Sequence, residues 1–192
     1  MMRILGIDPG LRSTGWGIVA VDAGRLQHIA NGAIQPKPAL ADAARLKIIY
    51  DGLCDVIGQH RPDQAAIEKI FVAKSAGSAL RLGMARGVGL LACGTHGLTV
   101  GEISARAVKK AVAGTGAADK KQIQEMVTRL LAVTAKNADA ADALAIAIAA
   151  SNEAGTLAPV GVGLTKGQAA NGLSAAIAAA LARDDANNGG KR

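Results

Sequence analysis

Aromatic residues are nearly absent: the chain has one Phe, one Trp and one Tyr in 192 residues, so any core it builds is aliphatic. Cysteine is as scarce. Cys54 and Cys93 lie far apart in helical patterns, which excludes a disulfide framework and a cysteine zinc site and leaves both as small buried hydrophobes. His28, His60 and His96 have no ligand spacing and are expected on the surface or in turns. Long apolar runs are missing too: "ALAIAIAA" is closed by Ser151, Asn152 and Glu153, too soon for a membrane span. The N-terminus enters a strand pattern at once, with no signal-peptide pattern before it, and the expected location is the cytoplasm. The length suits one domain with a substantial core and is short for two.

What is present is positive charge, and it is concentrated. The net charge is +7, and nine basic residues between Lys69 and Lys121, set against only Glu102 and Asp119, account for all of it. A clustered basic segment is the electrostatic footprint of a polyanion, nucleic acid above all, although lysines on a solvated helix face give a weaker version of the same pattern. Lys74, Arg81, Arg86, Lys109, Lys110 and Lys120 are the candidates to line such a path.

The chain opens with three strands. "RILGID", "TGWGIVAV" and "RLQHIANGAI" alternate or run apolar, and "VDAGR" supplies a hairpin turn at Gly24. Trp16, in the second strand, is read as a packing residue. Leu46, Ile49, Leu53, Val56 and Ile57 recur at helical spacing up to Pro62, and "QAAIEKI" is a fourth strand. A long helix is predicted from Ser78 to Cys93, its Gly83, Gly87 and Gly89 permitting another helix to come close. "LTVGEI" is a fifth strand, followed by a short helix capped by Ser104. Asp119 and Gln122 form a capping box for a helix with an apolar stripe of Ile123, Met126, Val127, Leu130 and Leu131. The last helix begins at Asn137. Residues 1–152 thus form one α/β domain, a mixed five-stranded sheet with helices on its faces, and residues 153–192, rich in Gly, Ala, Pro and Asn, a flexible tail.

Four acids need an explanation. Asp8 ends the first strand and Glu68 lies in the fourth, each beside apolar neighbours, and a carboxylate in a central strand is expensive to bury uncompensated. Asp139 and Asp142 stand three residues apart at the head of the alanine-rich last helix. Asp139 alone is accounted for by the helix dipole, but two like charges at that spacing repel. Brought into one cleft, four carboxylates would repel one another unless a hard cation held them ionised, and Mg²⁺ fits best. Phosphodiester hydrolysis by two ions about 3.5–4 Å apart needs such a set. Asp8 is then expected to bridge, Glu68 to hold one ion and Asp139 with Asp142 the other. Lys120 either stabilises the transition state or lies at a solvated helix start. Phe71, the lone Phe, is either a core anchor or a ring that stacks on an unpaired base, worth roughly 1–3 kcal/mol.

"RILGIDPGLRSTGWGIV", "AIEKIFVAKSAGSALRLGMARGV" and "ADAADALAIAIA" resemble, in order and separation, the three signature regions of the RuvC family of bacterial Holliday-junction resolvases. The resemblance covers about residues 2 to 152. It implies an RNase H-like fold, a homodimer, Mg²⁺-dependent nicking of four-way DNA junctions (with Mn²⁺ able to substitute), and cooperation with a RuvA–RuvB branch-migration complex. It carries the family's four acidic ligands onto Asp8, Glu68, Asp139 and Asp142, a junction-centre aromatic onto Phe71, and basic residues beside the cleaved strand onto Lys109 and Lys120.

Two other classes compete. "GIDPGLRSTG" is similar to the phosphate-binding hairpin of actin-like kinases and ATPases, but those need a second such domain, for which this chain is short. A non-catalytic DNA-binding module using the basic segment alone leaves the four acids unexplained.

Overall fold

The computed structural model describes residues 1–69 and 76–153. The chain begins as a meander of β1 (Met2–Asp8), β2 (Thr14–Asp22) and β3 (Arg25–Ile34), all antiparallel. Ala23 and Gly24 join β2 to β3 with φ of 48° and 79°, the two left-handed residues that a tight hairpin of matching twist requires. Between Ile18 and Val19 the pairing slips by one residue, leaving Ile29 as a bulge on β3.

Helix α1 (Asp42–His60) ends at Arg61, which turns left-handed and donates its N–H to the Ile57 carbonyl just before Pro62. Then come β4 (Gln64–Glu68), α2 (Ala76–Thr95), β5 (Thr99–Ile103), α3 (Ala105–Ala113), α4 (Lys120–Leu131) and α5 (Ala138–Asn152). The sheet order is β3-β2-β1-β4-β5, with β4 parallel to both β1 and β5. This is the mixed five-stranded, RNase H-like arrangement expected from the sequence. Among the described residues no helix is long and apolar enough to cross a membrane.

The period-two alternation of strands divides the core into two layers. On one face, Leu5 and Ile7 of β1, Ile18 of β2 and Ala65 and Ile67 of β4 pack with Ile49 and Leu53 of α1 and Ala85 and Ala92 of α2. On the other, Ile4, Val19 and Ala66 pack with Val108, Val127, Leu144 and Ile148 from α3, α4 and α5. Asp8 shares the parity of Ile4, and Glu68 that of Ala66. Both acids therefore belong to the α5 face, and since Ile7 pairs with Ile67 they leave the sheet side by side at the carboxyl ends of adjacent parallel strands.

Helix α5 lies between this face and helices α3 and α4, which is why it is apolar all round. Its seat is cut by glycines. A Cβ on Gly6 would stand 2.1 Å from the Ala143 carbonyl oxygen, one on Gly15 2.1 Å from that of Asp139, and one on Gly17 2.7 Å from Leu144 Cγ. Asn137 caps the helix by accepting from the Ala140 N–H, and the preceding Lys136 N–H is held by the buried Asn31 side chain. The stripe on α4 narrows to Ile123, Val127 and Leu131. Leu130, expected within it, is 40% exposed at the edge of the buried face, which centres on Val127.

Candidate active site

The topology that seats α5 on β1 and β2 brings three of the four acids together. One carboxylate oxygen from each of Asp8, Asp139 and Asp142 lies within 4.8 Å of the others, a spacing at which three oxygens can hold a metal ion. Glu68 stands outside this trio but lines the same cleft, a cavity of about 230 Å³ whose other polar walls are Lys109, Lys120 and Asp142, over a floor that includes Val108, Ile123 and Ile146. Burial, followed by the charges of Asp142, Glu68 and Asp139, pushes the Asp8 carboxyl up to about 7. Glu68 is raised too, by burial first and Asp142 second. These are the costs of gathering acids in a partly dry cleft, and a cation removes them.

Two donors hold the α5 aspartates. Lys120, the first residue of α4, places Nζ 2.6 Å from Asp142 Oδ2, and this contact raises the ammonium's pKa above its usual value. Its position follows from the capping box at Asp119 and Gln122, present in both directions, which starts α4 at the cleft wall. Ser13, on the turn between β1 and β2, donates to Asp139 Oδ2 at 2.5 Å.

The basic candidates divide. Lys109 lines the acidic cleft, and Lys110 is exposed beside it on α3. Arg81 lines a separate groove of about 690 Å³ that reaches Asp139 from the other side, together with Ser13 and Arg12. Arg86 is not on an open path: its guanidinium is paired with Glu102 of β5 and its side chain is only 17% exposed, because α2 packs that face against the sheet. Phe71 and Lys74 lie outside the described residues. Ser13 and Arg12 were not singled out from the sequence. Ser13 meets its partner across 126 residues, a pairing that carries no local signal, and Arg12 lies well before the basic segment.

The glycines of the first hairpin do other work than the actin-like comparison suggests. Gly6, Gly15 and Gly17 are covered by α5, and in the turn itself Thr14 Oγ1 closes on the Gly10 carbonyl at 2.8 Å. These glycines are thus accounted for by the close approach of α5. A purely basic module is equally poor a description of a cleft with acids at its centre.

Fold and site together define an RNase H-like α/β protein with a carboxylate cleft at the ends of its two central parallel strands. The family model for crossover junction endodeoxyribonuclease RuvC matches residues 4–150. A protein of that name from Caulobacter sp. (strain K31) is 53% identical over 152 residues, which cover 79% of this chain and 90% of that one. Another from Zymomonas mobilis is 52% identical over 148 residues, 77% of this chain and 89% of that one. A solved structure of T. thermophilus RuvC in complex with Holliday junction substrate aligns with a TM-score of 0.78 at 30% identity, covering 83% of this chain and all of that one (100%). The chain belongs to the RuvC family of crossover junction endodeoxyribonucleases.

Proposed function

We propose that this protein is a structure-selective endonuclease that resolves four-way DNA junctions by paired nicks, using Mg²⁺ held by Asp8, Glu68, Asp139 and Asp142. The observation that carries the proposal is the convergence of Asp8, Asp139 and Asp142 within 4.8 Å in a chain of this family. The donor set fits a hard cation: it is all oxygen, half-buried and mutually repulsive, with Asp8 raised to about 7 until positive charge is supplied. Two bound Mg²⁺ ions, with Mn²⁺ as a substitute, would supply an activated water and neutralise the leaving oxygen.

The chain's own residues do the rest. Asp8, on the central strand, would hold the ions together with Glu68 from β4 and with Asp139 and Asp142 from α5. Lys120, at 2.6 Å from Asp142, is placed to donate to the non-bridging oxygens of the phosphate under attack as their charge grows. Lys109, Lys110 and Arg81 extend positive potential away from the cleft along the strand, and Lys74 adds a further positive charge for DNA. Arg86 supports it from beneath by anchoring α2 to β5. Phe71 stacks at the opened centre of the junction.

Resolution of a two-fold junction calls for two such sites, and a homodimer supplies them. Helix α2 leaves Leu80 67% and Leu91 59% exposed, with Gly83 and Gly87 open between them, a face suited to close contact with its symmetry mate. Val88 of the same helix packs inward against the core. Nuclease function resides in residues 1–152, in the cytoplasm, with a RuvA–RuvB branch-migration complex as the partner the family implies. The test is a synthetic four-way junction incubated with the protein and Mg²⁺, beside a duplex of the same sequence. Symmetric, ligatable nicks in the junction alone are expected; equal cutting of duplex, or none of either, refutes the proposal.

A further inference from the structure

We infer that Ser13 is a positioning residue for the metal-binding cleft: its hydroxyl fixes the orientation of the Asp139 carboxylate so that the free oxygen is presented to a cation. The inference rests on the metal proposal for Asp8, Asp139 and Asp142. Two adjacent hydroxyls sit in the β1–β2 turn, and they have different tasks. Thr14, fully buried, closes the turn on itself through the Gly10 carbonyl at 2.8 Å. Ser13 is not needed for that closure and reaches instead across the chain, 2.5 Å to Asp139 Oδ2.

A hydroxyl has one proton to give, and here Asp139 takes it, while the Ser13 oxygen accepts from Gln35 Nε2 at 3.4 Å, at the outer edge of hydrogen-bond range. Ser13 is thus oriented from the end of β3 as well as from its own turn. The backbone of Asp139 is fixed separately, by the contact of its carbonyl with Gly15. With main chain held by Gly15 and one carboxylate oxygen by Ser13, Asp139 has little freedom left.

The two α5 aspartates are therefore prepared differently. The partner of Asp142 is a cation, Lys120, which competes with a metal ion for the same carboxylate. The partner of Asp139 is a neutral donor, which stays in place when the other oxygen takes an ion. Partners of this kind around metal ligands typically change metal affinity or activity by about 10–100-fold when removed.

The experiment compares metal-free wild type, Ser13→Ala and Ser13→Thr, full length, by the loss of the free aqueous Mn²⁺ signal in electron paramagnetic resonance as each is titrated. Ser13→Ala is expected to weaken Mn²⁺ binding by about 10–100-fold, and Ser13→Thr, which keeps the hydroxyl, to restore it. The Mg²⁺ concentration for half-maximal nicking should rise in parallel, with the rate at saturating Mg²⁺ largely recovered. Junction affinity in EDTA should stay where it is, which a Ser13 needed only for the fold would not allow. Wild-type Mn²⁺ affinity in Ser13→Ala, or an equal loss in both variants, overturns this inference alone. A wild type that takes up no Mn²⁺ overturns the metal proposal beneath it.

Discussion

Gly15 of β2 lies against the backbone of Asp139 so closely that a Cβ there would fall 2.1 Å from the Asp139 carbonyl oxygen. The contact fixes the height of α5 above the sheet, and with it the separation of Asp139 and Asp142 from Asp8. Gly15→Ala must push backbone against backbone, so it is expected to cost at least the 1–3 kcal/mol typical of overpacking, and to abolish nicking at temperatures where the variant is still folded. Gly58, in α1 with nothing near its absent Cβ, is the control. Gly58→Ala should instead stabilise by roughly 0.5–1 kcal/mol. Thermal melts and a junction assay on the two variants separate the effects.

The acids make metal-free stability depend on pH in an unusual direction. The Asp8 carboxyl titrates near 3.8 in the unfolded chain and about 7 in the folded one, so between these values the folded protein holds a proton that the unfolded chain has released. Stability is therefore full at low pH and falls as pH rises through 7, by at most about 4 kcal/mol. Glu68, raised for the same reasons, acts with the same sign. Melting in EDTA should occur at lower temperature near pH 8 than near pH 5. Asp8→Asn should flatten that difference and melt above wild type at the higher pH. A wild-type melting temperature that rises over this interval contradicts the assignment of Asp8 to a crowded acidic cleft.

Lys120 is bonded to Asp142 in the cleft wall. If its ammonium serves the transition state, Lys120→Met lowers kcat by about 10²–10³ and leaves junction affinity within a few-fold of wild type. Were it only a solvated helix start, as its sequence position also allowed, kcat would hardly move. Single-turnover rates at saturating enzyme distinguish the two.

Salt dependence tests the basic surface residue by residue. Lys109→Gln with Lys110→Gln should flatten the slope of log affinity against log salt by up to about 1.8, or 0.9 per phosphate contact, for junction and duplex alike. Arg86→Gln should leave the slope unchanged, because its charge is spent on Glu102. It should instead cost about 1.5–3 kcal/mol of stability, as loss of a charged hydrogen bond does. Binding titrations at several salt concentrations, with melts alongside, check both halves.

Most of the fold was legible because each element announces itself locally. Ser104, Asp119 with Gln122, and Asn137 are side-chain caps acting on their own helices, and all three are found in the structure where the sequence puts them. Asp8 and Glu68 are legible in the same local way, as carboxylates beside apolar strand neighbours that are costly to bury uncompensated. What escaped is non-local. Whether Arg86 faces solvent or Glu102 depends on how α2 packs over β5, and Leu130 is left exposed at the edge of an α4 face that centres on Val127. Ser13 is an ordinary turn residue until Asp139 arrives from the far end of the domain.

The central claim, that these four carboxylates hold the metal that cuts junction DNA, is tested most directly by measuring cleavage and binding in the same single-acid variants. Asp8→Asn, Glu68→Gln, Asp139→Asn and Asp142→Asn should each bind a synthetic four-way junction in EDTA as well as wild type or better, since negative charge is removed and the basic surface is untouched. Each should fail to nick it in Mg²⁺. Near wild-type cleavage by any one of these four variants would contradict the account.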